Sequence, residues 1–404
     1  MRILFLTELF YPHGSGAEFA TYLYSRLLRE EDIDVVVLTN RFPGEPFFFE
    51  EGSLQIYRVP LFKNAGSVKY SILERFDIIA SSLFKRLLNW ADVVYVPRFW
   101  FTAIAWAKAH GKPVIVHMHD YISVCALSTL FNETESKVCV NKGVVCSPEC
   151  VYSFEKAHGR TLVQTIKSMV LNSTLGRYLP KTAFLADAVV CVSAKQKELI
   201  IDRAGSLRDK TYVIYNPFPR YSDFRLTGDD FGYFGGPDVL KGFKVLFEAV
   251  SQINTNKIRV KIHCTKFPKF SPKIMREIGR FGFSLYKRLE TSELEQLYHK
   301  LRSIIVPSVW NEPWPYVVVE ALIRGRFVIA SRIGGIPEQL EGCKGAILCK
   351  PGSSKNLAEA INHVHNLRRD EIIDLGCQNR ETFLSRFNND YSVRKFINVC
   401  EHLT

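Results

Sequence analysis

The chain has no run of eighteen apolar residues, so its own composition gives no reason to expect a membrane-spanning helix. It has no Gly-x-Gly-x-x-Gly after a strand, which argues against a dinucleotide-dependent dehydrogenase. It also lacks internal repeats of short period and low-complexity tracts. The first residues run straight into a strand, Ile3-Leu4-Phe5-Leu6, without the basic and apolar segments of a secretory leader, so a cytoplasmic protein is expected. Acidic residues are in deficit: 53 Lys and Arg against 41 Asp and Glu leave a net charge of +12. That surplus favours anionic partners. No nucleic-acid motif accompanies it, which leaves an anionic membrane surface or plain solubility. A local cluster, Lys266, Lys269, Lys273, Arg276, Arg280, Lys287 and Arg288, carries part of the excess.

What is present is an ordinary globular composition, 47% apolar and 23% charged, over 404 residues, which suits two domains better than one. Strand-like pieces at 3–6, 35–38, 55–59, 93–96, 114–117, 188–192 and 212–214 alternate with helical stretches, a Rossmann-like, doubly wound pattern. The most informative stretch runs from Ser303 to Glu341. A buried strand (Ile304–Val306) is followed by Pro307-Ser308, the loop Trp310-Asn311-Glu312-Pro313-Trp314-Pro315, a helix from Tyr316 to Arg324, a strand (Phe327–Ile329) and Gly334-Gly335-Ile336-Pro337-Glu338. Pro315 suits the first helical position, and the amides of Tyr316 and Val317 then form an anion site at the helix end. Glu312 beside such a site would repel phosphate and suits hydroxyl groups instead. The ligand is expected to be part phosphate and part polyol, as a nucleotide-sugar is.

Glu312 through Glu320, with Pro307-Ser308 and the Gly-Gly-Ile-Pro-Glu loop, resembles the Glu-x7-Glu motif of retaining GT-B glycosyltransferases, in particular glycosyltransferase family 4. The resemblance extends over nearly the whole chain. It implies an α/β fold of two Rossmann-like, doubly wound domains with a cleft between them. Their expected extents are 1–217 (acceptor side, with a cysteine-bearing insertion at about 125–160) and 218–388 (donor side), with a helix over 389–404 crossing back. Pro12 to Glu18 resembles the family's glycine-rich N-terminal loop: Gly16 and Glu18 match, Ser15 replaces a glycine, and Gly16 is expected to contact phosphate or acceptor. His119-Asp120 resembles the family's His-Asp step, giving His119 a place facing the donor sugar. Lys241 matches the lysine that clamps the donor diphosphate, while Gly236 stands where the family has an arginine; the backbone amides of Gly235 and Gly236 are expected to compensate. Glu320 would hold ribose hydroxyls and Glu312 sugar hydroxyls.

The implied activity is transfer of a sugar from a UDP-, GDP- or ADP-sugar to a glycan or lipid-linked acceptor, with retention and without a metal or other cofactor. A peripheral position at the inner face of the membrane goes with such an acceptor. Two rivals are a nucleotide-sugar epimerase and a non-catalytic sugar-nucleotide or glycan-binding module. The helical spacing of Ile72, Phe76, Ile79, Leu83, Leu87 and Trp90 fits either a sheet-packing helix or a membrane-surface helix. Cys125, Cys139, Cys146 and Cys150 are open to three readings: free thiols, a structural zinc site, or disulfides. Ser193 is expected to cap the helix that follows it, and Asn216-Pro217 stands at the family's Asn-Gly step.

Overall fold

The structure is a computed structural model. It describes every residue except 62–75, 99, 134, 141–147, 158, 175–178, 222–224, 254–257, 264–282, 287–288 and 290. The basic cluster at 266–288, together with Ile72 and Cys146, therefore lies outside the described residues. The chain divides into two units, Met1–Pro219 joined by Asn388–Thr404, and Arg220–Phe387.

The first unit holds β1 (Arg2–Leu6), β2 (Asp34–Asn40), β3 (Phe48–Glu51), β4 (Leu54–Val59), β5 (Val93–Val96), β6 (Val114–Met118), a two-stranded hairpin of β7 (Phe131–Asn132) and β8 (Lys137–Val138), then β9 (Ala188–Cys191) and β10 (Thr211–Val213). The main sheet runs β10-β9-β6-β5-β1-β2-β4-β3, parallel except for the antiparallel β3–β4 edge. Central strands read as unbroken apolar runs because helices cover both faces: Ile3, Leu4, Phe5 and Leu6 have no exposed surface. The last helix, Asn389–Glu401, is capped by Asn388 and returns to this unit. Its Phe396 packs within 5.5 Å of the Tyr24 ring and 5.2 Å of the Tyr95 ring.

The second unit holds β11 (Asp230–Tyr233), β12 (Val260–His263), β13 (Phe283–Tyr286), β14 (Leu301–Val306), β15 (Phe327–Ser331) and β16 (Ala346–Cys349). Its sheet is parallel throughout, in the order β13-β12-β11-β14-β15-β16. In each sheet the chain builds outward from its first strand, then returns to that strand's other side. The reversals fall between β1 and β5 and between β11 and β14, the places where open α/β sheets receive ligands.

Several boundaries differ from the sequence expectation. The helix expected across 72–90 is two helices over its described part, Phe76–Ala80 and Ser82–Trp90, because Ser81 caps the second by accepting from the Phe84 amide. The restart moves the inward face onto Phe84, Leu87 and Leu88, which are buried, and leaves Leu83 half-exposed. Over the described residues both helices turn their buried residues, Ile78, Ile79, Phe84, Leu87 and Leu88, inward. The helix after β1 begins at Gly16, inside the stretch read as the glycine-rich loop, since Ser15 serves as its cap residue and the Glu18 carboxylate accepts from the Ser15 amide at 2.6 Å. Ser193 caps Ala194–Arg203 as expected, accepting from the Gln196 amide. No helix among the described residues is long and apolar enough to cross a membrane.

Candidate functional site

In the second unit, the loops after β11 and β14 meet at the reversal point. Gly242 has φ +77, and a Cβ there would lie 1.9 Å from the Pro307 carbonyl oxygen, so the chain passes against the Pro307 turn only as glycine. The Val309 amide donates to the Leu240 carbonyl at 2.9 Å. Between these contacts Lys241 Nζ reaches Glu312 Oε1 at 2.5 Å, across 71 residues of sequence. Glu312 is 3% exposed, and Ser308 Oγ donates to the same oxygen at 3.0 Å. A buried carboxylate needs such partners, because desolvating it without them costs several kcal/mol. The glycine loop fixes the backbone of Glu312: the Gly335 amide donates to its carbonyl at 2.7 Å, and at Gly334 (φ +57) a Cβ would sit 2.1 Å from that oxygen.

The helix after Glu312 runs Tyr316–Ile323, with Pro315 as its cap residue rather than its first helical residue. An extended ψ of 119° keeps Pro315 out of the helix, and its carbonyl accepts from the Val318 amide at 3.1 Å. The amides of Tyr316 and Val317 stand ahead of that first bond, at the positive end of the helix. Glu320 is half-buried in the helix and accepts from the Tyr298 hydroxyl at 2.8 Å. Burial raises its carboxyl above the usual range, while the Arg324 guanidinium opposes the rise. Arg324 lies between the Tyr221 and Tyr298 rings, 4.2 and 4.4 Å from their centres, and is paired with Glu295.

Gly236 departs from the family pattern, and the backbone explains it. Its φ is +61, and its carbonyl accepts from the Tyr233 hydroxyl at 2.7 Å. An arginine there would strain the turn. At neighbouring Gly235 a Cβ would lie 2.4 Å from the same hydroxyl.

In the first unit the loops after β1, β5 and β6 also bring charged groups together. Arg98, beyond β5, bonds Glu18 in the first helix, and its Nη2 lies 4.0 Å from Asp120. Glu18 is 1% exposed. Gly16 opens the helix two residues before Glu18. Asp120 Oδ1 accepts from the Ile122 amide and its carbonyl from Gln196, which fixes the His119-Asp120 step. His117, buried on β6, is bonded through Nδ1 to the Tyr95 hydroxyl at 2.6 Å and stacks on the His119 ring at 4.3 Å. Burial, then the nearby Arg98, lowers the His119 pKa to about 3; burial, then the His119 ring, lowers that of His117 too. Both rings are neutral at physiological pH. The Nε2 of His119 is buried without a hydrogen-bond partner among the described residues.

Arg98, Tyr298 and Arg324 were not singled out from the sequence, because their partners lie 22 or more residues away and no local spacing signals such pairs. Ser308 was read as part of the Pro307-Ser308 turn and not as a partner of Glu312. No disulfide joins Cys125, Cys139 or Cys150 among the described residues, and among those residues no group of three or more His, Cys, Asp or Glu is placed to hold a metal. Cys146 is outside that description. The Asp32-Ile33-Asp34 step lies in the turn into β2, where Asp34 is paired with Arg29 at 2.5 Å.

The family model described as Glycosyltransferase Family 4 matches residues 14–219, and one described as Glycosyl transferases group 1 matches 228–366. An uncharacterised glycosyltransferase of Methanocaldococcus jannaschii is 26% identical over 252 residues, 61% of this chain and 69% of that protein. One of the subunits of the human phosphatidylinositol N-acetylglucosaminyltransferase is 24% identical over 389 residues, 89% of this chain and 67% of that protein. Among solved structures, Anabaena Alr3699/HepE in complex with UDP-glucose superposes with a TM-score of 0.64 at 17% identity, covering 100% of both chains. That likeness concerns the fold, which is GT-B.

Proposed function

The chain belongs to glycosyltransferase family 4, and from that premise we propose that it transfers a sugar from its nucleotide-sugar donor to a glycan or lipid-linked acceptor with retention and without a metal. The observation that carries this reading is Glu312, buried at the reversal point of the second sheet and held by Lys241 and Ser308. A carboxylate so placed accepts hydrogen bonds from sugar hydroxyls. The Lys241 side chain is 39% exposed, so it is free to turn from Glu312 toward a diphosphate as one arrives. The helix end at Tyr316 and Val317 and the amides of Gly235 and Gly236 add donors for phosphate oxygens. Together they stabilise the charge that grows on the departing diphosphate as its bond to the anomeric carbon breaks, the acceptor hydroxyl oxygen bonds that carbon, and the hydroxyl proton passes to the departing phosphate oxygen. Glu320 is assigned to the ribose. Its oxygen already accepts from Tyr298, which holds the carboxylate in place for a hydroxyl.

His119 is assigned to the donor sugar. A neutral ring with an unpartnered Nε2 suits a sugar hydroxyl better than a phosphate. Gly16 opens a helix whose first-turn amides suit an anion or an acceptor hydroxyl. A lipid-linked acceptor would place the protein at the periphery of an anionic membrane.

The test is release of nucleoside diphosphate from a panel of UDP-, GDP- and ADP-sugars in EDTA, comparing wild type with Glu312→Ala, with the anomer of any product read by NMR. Turnover of one donor, abolished in the variant, supports the reading. Donor binding without turnover, whatever acceptor is supplied, would replace it with the non-catalytic module; product from donor alone would indicate an epimerase.

A further inference from the structure

The helix Leu162–Ser173 is built inside out. Thr165 is 3% exposed and Asn172 9%, and both find polar partners: Thr165 Oγ1 donates to the Thr161 carbonyl, and Asn172 Nδ2 to the Ser168 carbonyl. On the same inward side Ser168 Oγ donates to Glu155, on the neighbouring helix Pro148–Ala157, at 2.5 Å. The outward side carries Leu162, Val163, Ile166 and Val170, exposed by 68%, 76%, 53% and 58%. At 100° per residue Val163, Ile166 and Val170 share one face, with Leu162 at its edge. Single exposed apolar residues need no explanation, but a continuous apolar stripe over a polar inner face marks an interaction surface. Tyr152, on the neighbouring helix, is 43% exposed with Lys156 Nζ 5.9 Å from its ring centre, an amphipathic pair of the kind found where apolar surface meets water.

Charge identifies the occupant. From Lys156 to Ala186 the sequence holds Lys156, Arg160, Lys167, Arg177 and Lys181 and no Asp or Glu. Lys156, Arg160 and Lys167 are exposed. The helix Leu162–Ser173 itself carries no acid, and Arg160 is ion-paired with the mostly buried Glu155 at 3.7 Å, which leaves Lys156 and Lys167 as the exposed cations beside the apolar face. Such a face is the chemistry that binds an anionic lipid surface, with the side chains entering the headgroup boundary and the lysines meeting the phosphates. A protein partner would call for acidic residues of its own, and a second copy of this chain would set these cations against themselves. We propose that Leu162, Val163, Ile166 and Val170, with Lys156 and Lys167 beside them, dock the first unit onto an anionic bilayer. The helices Phe76–Ala80 and Ser82–Trp90, whose Ile78, Ile79, Phe84, Leu87 and Leu88 are buried, do not serve this purpose. This placement deepens the acceptor reading above and rests on it only for its biological purpose.

Co-sedimentation with vesicles of phosphatidylcholine alone, and of phosphatidylcholine mixed with phosphatidylglycerol, tests it on the full chain. Wild type is expected to sediment with the anionic vesicles, to stay in solution with the neutral ones, and to be released by raised salt. Ile166→Ser with Val170→Ser should weaken that binding by about tenfold or more, from the apolar surface removed. Both positions point to solvent, so the variant should keep its circular dichroism and its hydrolysis of a soluble donor. Binding that is unchanged in the double variant, or equal on both vesicle types, would overturn the proposal. So would a wild-type dimer in light scattering that the variant loses, since a second copy would then cover the face. Membrane binding with no donor turnover would sink the transferase reading and leave docking standing; turnover without docking would do the reverse.

Discussion

The two sheets carry the same kind of charge pair at the same topological place, and the pairs differ in how tightly they are held. At the β1/β5 reversal Arg98 is bonded to Glu18, an acid 1% exposed, with Asp120 on its other side. At the β11/β14 reversal Lys241 is bonded to Glu312, an acid 3% exposed, but the lysine side chain is 39% exposed against 22% for Arg98. Arginine's planar fork suits a fixed network, whereas lysine is a point charge on a flexible stem. The first pair is scaffolding, tying the first helix to the loops after β5 and β6, and its Arg98 adds to burial in keeping His119 neutral. On the function proposed above, the second is a resting contact from which the cation leaves when a diphosphate arrives.

That contrast predicts different losses. Arg98→Met should cost about 3–5 kcal/mol of stability, because Glu18 stays buried with its main cation removed; urea titration reads it, and a loss below about 1 kcal/mol would make the two pairs equivalent. Glu312→Ala should leave the melting curve little changed, since Lys241 reaches water, while turnover falls by about a hundredfold or more. Steady-state kinetics beside thermal melting separates the two effects.

Acid should weaken the first unit through its histidines. His119, at about 3 in the fold, and His117, also lowered, both lie below the ordinary 6.5 of an unfolded ring. The unfolded chain therefore binds more protons in this window, so their contribution is complete above about 6.5 and is lost as pH falls toward 3. Each histidine contributes a slope of about 1.4 kcal/mol per pH unit at most. His119→Asn should flatten the wild-type stability profile between pH 6.5 and 4; an unchanged slope would mean that this ring is charged in the fold. The smallest effect is expected for Gly236→Arg. Putting the family's arginine at a φ of +61 should cost about 1–2 kcal/mol without tightening donor binding.

Much of this was legible in the sequence, for a physical reason. Buried parallel strands must be continuous apolar runs, so β1, β5, β6 and β14 stand out, and the Glu312–Glu320 register survives because it spans one loop and one helix. The last helix was legible as a segment that packs on the first unit. Less readable were features decided by a single capping residue. Ser81 splits a helix whose apolar spacing looked continuous, and Pro315 lies one step outside the helix it introduces. Pairs between distant loops were not readable at all. Nothing near Lys241 announces Glu312, and nothing near Glu18 announces Arg98, because both pairs exist only once the sheets bring their strand ends together. The departure at Gly236 was visible, but its cause, a left-handed turn under the Tyr233 hydroxyl, needed the backbone.

The central claim is that Lys241 leaves Glu312 to hold the donor's phosphates. Calorimetric titration of the nucleoside diphosphate selected by the donor panel, into wild type and Lys241→Ala, tests it most directly. The account predicts binding to wild type and an affinity at least about tenfold lower in the variant, a loss of about 1.4 kcal/mol. Equal affinity for the two proteins would contradict it and make the pair scaffolding like its counterpart in the first unit.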